Sequence, residues 1–285
     1  MALKPQPRLF WEDVQKQYTL DLAVAEIQKS YHLKKHPYFM WIQDPKLSQN
    51  AFRRSQVPFR FVTESHAQAL AAVMAHIPHV ELRLALAQNM AEEHGMGKMG
   101  GTSKGRFVDY LHDLGVTEKE LNHPCPIEVR GFAQCILNFA LVNPYEAGAA
   151  MVGMIEYLYV GVSLMTNDVI TKRGWLPDGT NGHYALHKGG DLDHAMALLD
   201  LAKPGWAAPR TRDAIAHGLL LAAHWLWSLY MDLLPKPAVK PSKGKGRIKA
   251  TGPIRTARET ALMEALGSED VTLAGHEGMV MDFDD

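Results

Sequence analysis

From Pro144 to Arg173 the chain reads as one long apolar helix, and between Ala149 and Leu164 the only charged residue is Glu156. A helix that is apolar on every face has to be covered on every face, so it implies a bundle of helices around it. The rest of the chain can supply that cover. Helical periodicity recurs over Phe10–Ser30, His36–Ile42, Pro45–Ile77, Val80–His94, Arg106–Leu114, Pro126–Val142, His183–Ala202 and Arg210–Leu234, while no run alternates with period two. The expectation is an all-α protein. Pro58 should kink the third of these segments, Gly95 and Gly115 should end the helices before them, and Gly95–Gly105 and Trp175–Gly182 should be loops.

Composition narrows the function classes. Hydrophobic residues make up 47% and charged residues 21% of 285, near globular averages, and the net charge is −1. That balance gives no footprint for nucleic acid or an anionic membrane. Cys125 and Cys135 are the only cysteines, too few for a disulfide framework. The stretch Met1–Trp11 has no signal-peptide pattern, so a cytoplasmic location is expected. Gly218–Leu234 carries His224 and Asp232 and falls short of a comfortable bilayer span, so it is read as a buried helix. After Pro235 the chain turns basic and rich in proline and glycine. Residues 1–235 are therefore read as one helical domain, and 236–285 as a basic linker and tail with one short helical segment at Arg255–Leu266. A homodimer is compatible with the basic arm and the apolar helices.

The segment His183-Tyr-Ala-Leu-His187-Lys-Gly-Gly-Asp191-Leu-Asp193-His194 carries the densest chemistry. At about 100° per residue, with His187 at zero, Asp191 falls near +40°, His194 near −20° and His183 near −40°. Three imidazoles and a carboxylate on one face suit iron, manganese or zinc better than copper(I). The plain alternative is a polar helix face with satisfied histidines. Gly189 and Gly190 also work against a continuous helix, each costing about 1 kcal/mol relative to alanine. Glu156, isolated in its apolar run, is expensive unless paired or metal-bound. Glu93 ends the helix before the glycine-rich loop. Glu64 and His66 precede the apolar run Ala69–Met74, and Glu64 is either a ligand or a surface charge.

These pieces resemble a family. The spacing His-x3-Asp-x2-His at His187, Asp191 and His194, preceded by Glu156, is similar to the haem-oxygenase-like di-iron oxidases. So are Asn89-Met-Ala-Glu-Glu93-His-Gly-Met-Gly and Asp109-Tyr-Leu-His-Asp-Leu-Gly-Val116, and the resemblance spans roughly residues 35–235. It implies a seven-helix haem-oxygenase-like bundle that binds one or two ferrous irons and uses O2 as co-substrate on a small molecule such as an amino acid or fatty acid. The metal ligands it implies are Glu93, Glu156, His187, Asp191 and His194, with Glu64 as an additional carboxylate. The family usually has a histidine where this chain has Ser103, which puts the second iron in question unless His94 or another group substitutes. Apolar and aromatic residues such as Tyr157, Tyr159, Trp225 and Trp227 are pocket candidates, with core packing as their alternative. Two other readings stay open. One is a metal-free enzyme of the thiamin-degrading or quinone-cofactor branch of the same fold, using His183, His187 and Glu156 as acid/base groups and Cys135 as nucleophile. The other is a non-catalytic binding protein with a decayed site, or one holding haem through a single histidine.

Overall fold

The computed structural model describes residues 6–178, 183–186 and 190–235. The chain divides into units Met1–Lys236 and Pro237–Asp285, and every described residue belongs to the first. The stretch 236–285, with its expected basic linker and short helix, lies outside the described residues.

The described elements are helical, and the one β-bridge among them pairs His94 with Thr102. In chain order they are α1 (Trp11–Gln15), α2 (Leu20–Ser30), α3 (Pro37–Ile42), α4 (Gln49–Gln56), α5 (Arg60–His76), α6 (Val80–Glu93) and α7 (Ser103–Asp113). There follow α8 (Glu118–Leu121), α9 (Ile127–Val142), α10 (Tyr145–Arg173), α11 (His183–Leu186), α12 (Gly190–Ala202) and α13 (Pro209–Leu233).

Local side chains explain where the boundaries depart from the periodicity. Phe10–Ser30 is two helices because the Thr19 hydroxyl accepts the Leu22 N–H at 3.2 Å and starts α2 afresh. Ser48 caps α4 in the same way, so the segment expected from Pro45 begins at Gln49. Pro58, which has no N–H to donate, sits in a 3₁₀ turn, Val57–Phe59, between α4 and α5. Thr102 caps α7 by accepting the Gly105 N–H at 2.9 Å, which moves the helix start from Arg106 back to Ser103. A capping box between Thr117 and Glu120 adds α8, which periodicity alone did not suggest. The segment expected as one helix over His183–Ala202 is α11 and α12, with 187–189 outside the described residues.

The core is built around α10. Ala147 to Glu156 are all buried, as are Leu158, Val162, Val169 and Ile170 farther along. By length and composition α10 and α13 could each cross a membrane, yet most of each apolar window is buried within the bundle. The apolarity of both is thus accounted for by core packing. Two glycines allow other helices to pack closely against α10. A Cβ at Gly218 of α13 would lie 2.7 Å from the Ala147 carbonyl oxygen, and one at Gly153 of α10 would lie 2.9 Å from Leu198 Cβ on α12. Both crossings depend on there being no side chain at these positions.

Candidate metal centre

The crossing of α10 and α12 decides what meets at the site. Glu156 lies one turn beyond Gly153, and His194 lies one turn before Leu198, and both line a cavity to which α5, α6, α7, α9, α10, α11, α12 and α13 contribute. The polar wall of the cavity consists of His66, Glu93, Ser103, Glu156, Tyr159, His183 and His194, with Thr63 beside them. The rest of the lining is apolar, formed by Phe59, Val62, Phe132, Ile155 and Leu226.

The Gly95–Gly101 turn brings Glu93 and Ser103 to the same place. Gly95, Met96 and Gly97 take positive φ angles of 61°, 52° and 83°. The backbone at Gly101 packs so closely on Gly95 that no Cβ fits there. The chain leaving α6 therefore doubles back at once into α7.

Glu156 is 8% exposed. Its Oε1 lies 2.9 Å from His66 Nε2 and accepts from Asn89 Nδ2 at 3.4 Å. Its Oε2 is buried with no hydrogen-bond partner among the described residues. A buried carboxylate oxygen left bare costs free energy, on the order of 1–3 kcal/mol or more, unless something fills its place. His194 Nε2 is 3.2 Å from Glu92 Oε2, and His183 Nε2 is 3.1 Å from the Tyr159 hydroxyl. The Ser103 hydroxyl is buried and accepts from Arg106 Nη2 at 3.1 Å.

Of the ligands expected from the sequence, Glu93, Glu156 and His194 are brought to one cavity. Asp191 falls in the first turn of α12, but its side chain and the whole of His187 lie outside the described residues. Glu64 is not brought there. It is half-exposed and pairs with Lys104 Nζ at 2.6 Å. Tyr159 lines the cavity, whereas Trp227 is buried against His36 and Tyr31 instead. Among the described residues no three His, Cys, Asp or Glu side chains are grouped as a metal site. The donor chemistry nonetheless fits iron, since carboxylate and imidazole face one cavity and one buried carboxylate oxygen lacks a partner.

Sequence reasoning passed over His66. It shares a helix face with Val62, Leu70 and Val73, at spacings of four, four and seven, and that face is the buried one. Glu64, two residues away, points elsewhere. The signal was available in the periodicity of α5.

The solved structures that resemble this chain support the fold. A TenA homologue from P. horikoshii OT3 superposes with a TM-score of 0.59 at 12% identity, covering 76% of this chain and 98% of its own. A TenA-family transcription regulator from Silicibacter sp. TM1040 gives 0.54 at 12% identity, covering 74% and 96%. A CADD-like protein of unknown function from Nostoc punctiforme PCC 73102 gives 0.51 at 14% identity, covering 75% and 96%. No curated protein matches the sequence. The sequence profile of the iron-containing redox enzymes matches residues 57–227, a span that holds every residue of the polar wall. The chain belongs to the iron-containing redox enzyme family.

Proposed function

We propose that the protein is a non-haem iron oxidase or oxygenase that uses O2 on a small molecule such as an amino acid or fatty acid. The observation that carries this reading is the Glu156 side chain, which presents a buried, unpartnered oxygen to a cavity shared with Glu93 and His194. Glu93, Glu156 and His194 would hold the iron, with His187 and Asp191 from the segment around the start of α12. Bound ferrous iron would supply electrons and open coordination positions for O2. The apolar wall of Phe59, Val62, Phe132, Ile155 and Leu226 would exclude water and receive the hydrocarbon part of a substrate. The Tyr159 hydroxyl and His183 Nε2, in hydrogen-bond reach of each other on the cavity lining, would pass a proton. Whether the site takes one iron or two turns on what stands in for the imidazole absent at Ser103.

The test is metal analysis of protein purified without air and reconstituted with ferrous iron, followed by O2 uptake. One or two irons per chain, lost in a His187→Ala, His194→Ala double variant, is the expected result. Unchanged iron in that variant would sink the assignment.

A metal-free reading has one observation in its favour. His66 with Glu156, and Tyr159 with His183, stand within hydrogen-bond distance and could serve as acid/base pairs. Its nucleophile is harder to find. Cys135 does not line the cavity, and burial pushes its thiol up, away from the reactive thiolate. Turnover that survives complete chelation would favour this second reading.

A further inference from the structure

We propose that His66 is itself a metal ligand, supplied from α5 in place of the imidazole that α7 does not provide at Ser103. The inference rests on the metal reading above and goes beyond the ligand set the sequence suggested.

Three observations converge on it. First, His66 has the reach. Its Nε2 faces the cavity and lies 2.9 Å from Glu156 Oε1, so an ion that takes up a Glu156 oxygen lies within range of the imidazole as well. Second, Ser103 offers nothing comparable. It sits at the first position of α7 on the same cavity, but a neutral hydroxyl is a weak ligand, and this one accepts from Arg106. Third, His66 is positioned by packing. It lies on the buried face of α5 with Val62 and Leu70, and its side chain is 19% exposed. Imidazole binds metal through a nitrogen whose lone pair is free. His66 would do so at Nε2, with its remaining proton on Nδ1, and the contact to Glu156 would give way to shared coordination of one ion. The site would then gather its donors from α5, α6, α10 and α12, four helices that the bundle already packs around one cavity.

The competing role is simpler: His66 could only orient Glu156 through a hydrogen bond. Two substitutions separate the roles. His66→Gln keeps an N–H that can donate to Glu156 but gives a poor ligand. His66→Glu gives a good ligand but cannot donate. The full-length protein and both variants are titrated without air with ferrous iron and with Co(II). Metal content and the Co(II) absorption bands are read, and circular dichroism checks the fold. If His66 is a ligand, His66→Gln weakens Co(II) binding by more than ~100-fold, beyond the usual cost of losing a residue that only orients a ligand. His66→Glu recovers most of that loss, with altered Co(II) bands. Wild-type affinity in His66→Gln, or equal impairment in both variants, overturns the proposal while leaving the metal reading intact if His194→Ala still loses metal. A wild-type protein that takes up neither ion overturns both. Should either variant fail to fold, wild-type protein labelled with ¹⁵N-histidine and loaded with Zn(II) decides. The assigned His66 Nε2 resonance moves to the metal-bound range if the proposal holds, and staying where it is in the metal-free protein refutes it.

Discussion

His36 shows how one side chain can fix two elements at once. Its Nδ1 accepts the Tyr38 N–H at 3.0 Å and so caps α3, while its Nε2 donates to the Trp227 carbonyl on α13 at 3.0 Å. Both contacts require the neutral ring with its proton on Nε2. Burial pushes its pKa down to about 4, against the backbone bond to Trp227, which pulls it up. An unfolded chain takes up that proton near 6.5. The stabilisation is therefore complete above about pH 6.5, shrinks as the pH falls, and is spent once it has passed through about 4. His36→Asn keeps a capping oxygen but does not titrate. Urea midpoints of the two proteins should converge between pH 7 and pH 3 by on the order of 3 kcal/mol, and parallel curves would refute the assignment. A second residue, Glu156, works in the opposite sense. Its buried, bare oxygen makes it a liability in the metal-free protein. Glu156→Gln keeps an acceptor for His66 and should hold or raise metal-free stability, by about 1 kcal/mol, while abolishing iron binding. A stability loss of several kcal/mol would mean that the carboxylate serves the fold. At this scale the sequence was legible where a residue stood out from its neighbours, as Glu156 does in its apolar run. It was less so where two polar residues stood close together. Glu64 and His66 differ in helix face, and the carboxylate lies on the exposed face of α5, where it pairs with Lys104 of α7.

Among the elements, the crossing of α10 and α12 sets the geometry of the site. With no Cβ at Gly153, Leu198 and Leu199 seat directly on α10, and His194 and Glu156 come to the same cavity. Gly153→Val should push the helices apart. A destabilisation of about 1–3 kcal/mol, the usual cost of overpacking, is expected from thermal melts, with loss of iron content out of proportion to the loss of stability. A variant that melts lower but keeps all its iron would show that the crossing is not what positions the ligands. The helices themselves were readable because apolar residues recur at 3.6-residue spacing, as in α9 and α13, or run almost unbroken, as in α10. What periodicity does not encode is a helix start set by one hydroxyl. Thr19 and Thr102 each moved a boundary, and Thr102 placed Ser103 within α7, on the cavity wall.

For the molecule as a whole, the proposed donors come from helices far apart in the chain, and that would link metal binding to global stability. Residues 66, 93, 156 and 194 all line one cavity, so an ion held among them would tie α5, α6, α10 and α12 together. The unfolded chain holds no such site, and whatever binds only the native state stabilises it by mass action. Ferrous iron at a hundredfold excess over its dissociation constant is worth about 2.7 kcal/mol. For a domain of this size that corresponds to roughly 5–10 °C in melting temperature. Calorimetry without air should show such a rise on adding ferrous iron to the wild-type protein, and none in His194→Ala. The metal-free His194→Ala protein should melt close to the metal-free wild type, because the lost pair with Glu92 is partly exposed and contributes little. An equal rise in both proteins would place the ion elsewhere, and no rise in either would favour the acid/base couples His66–Glu156 and Tyr159–His183 as the working groups of the cavity.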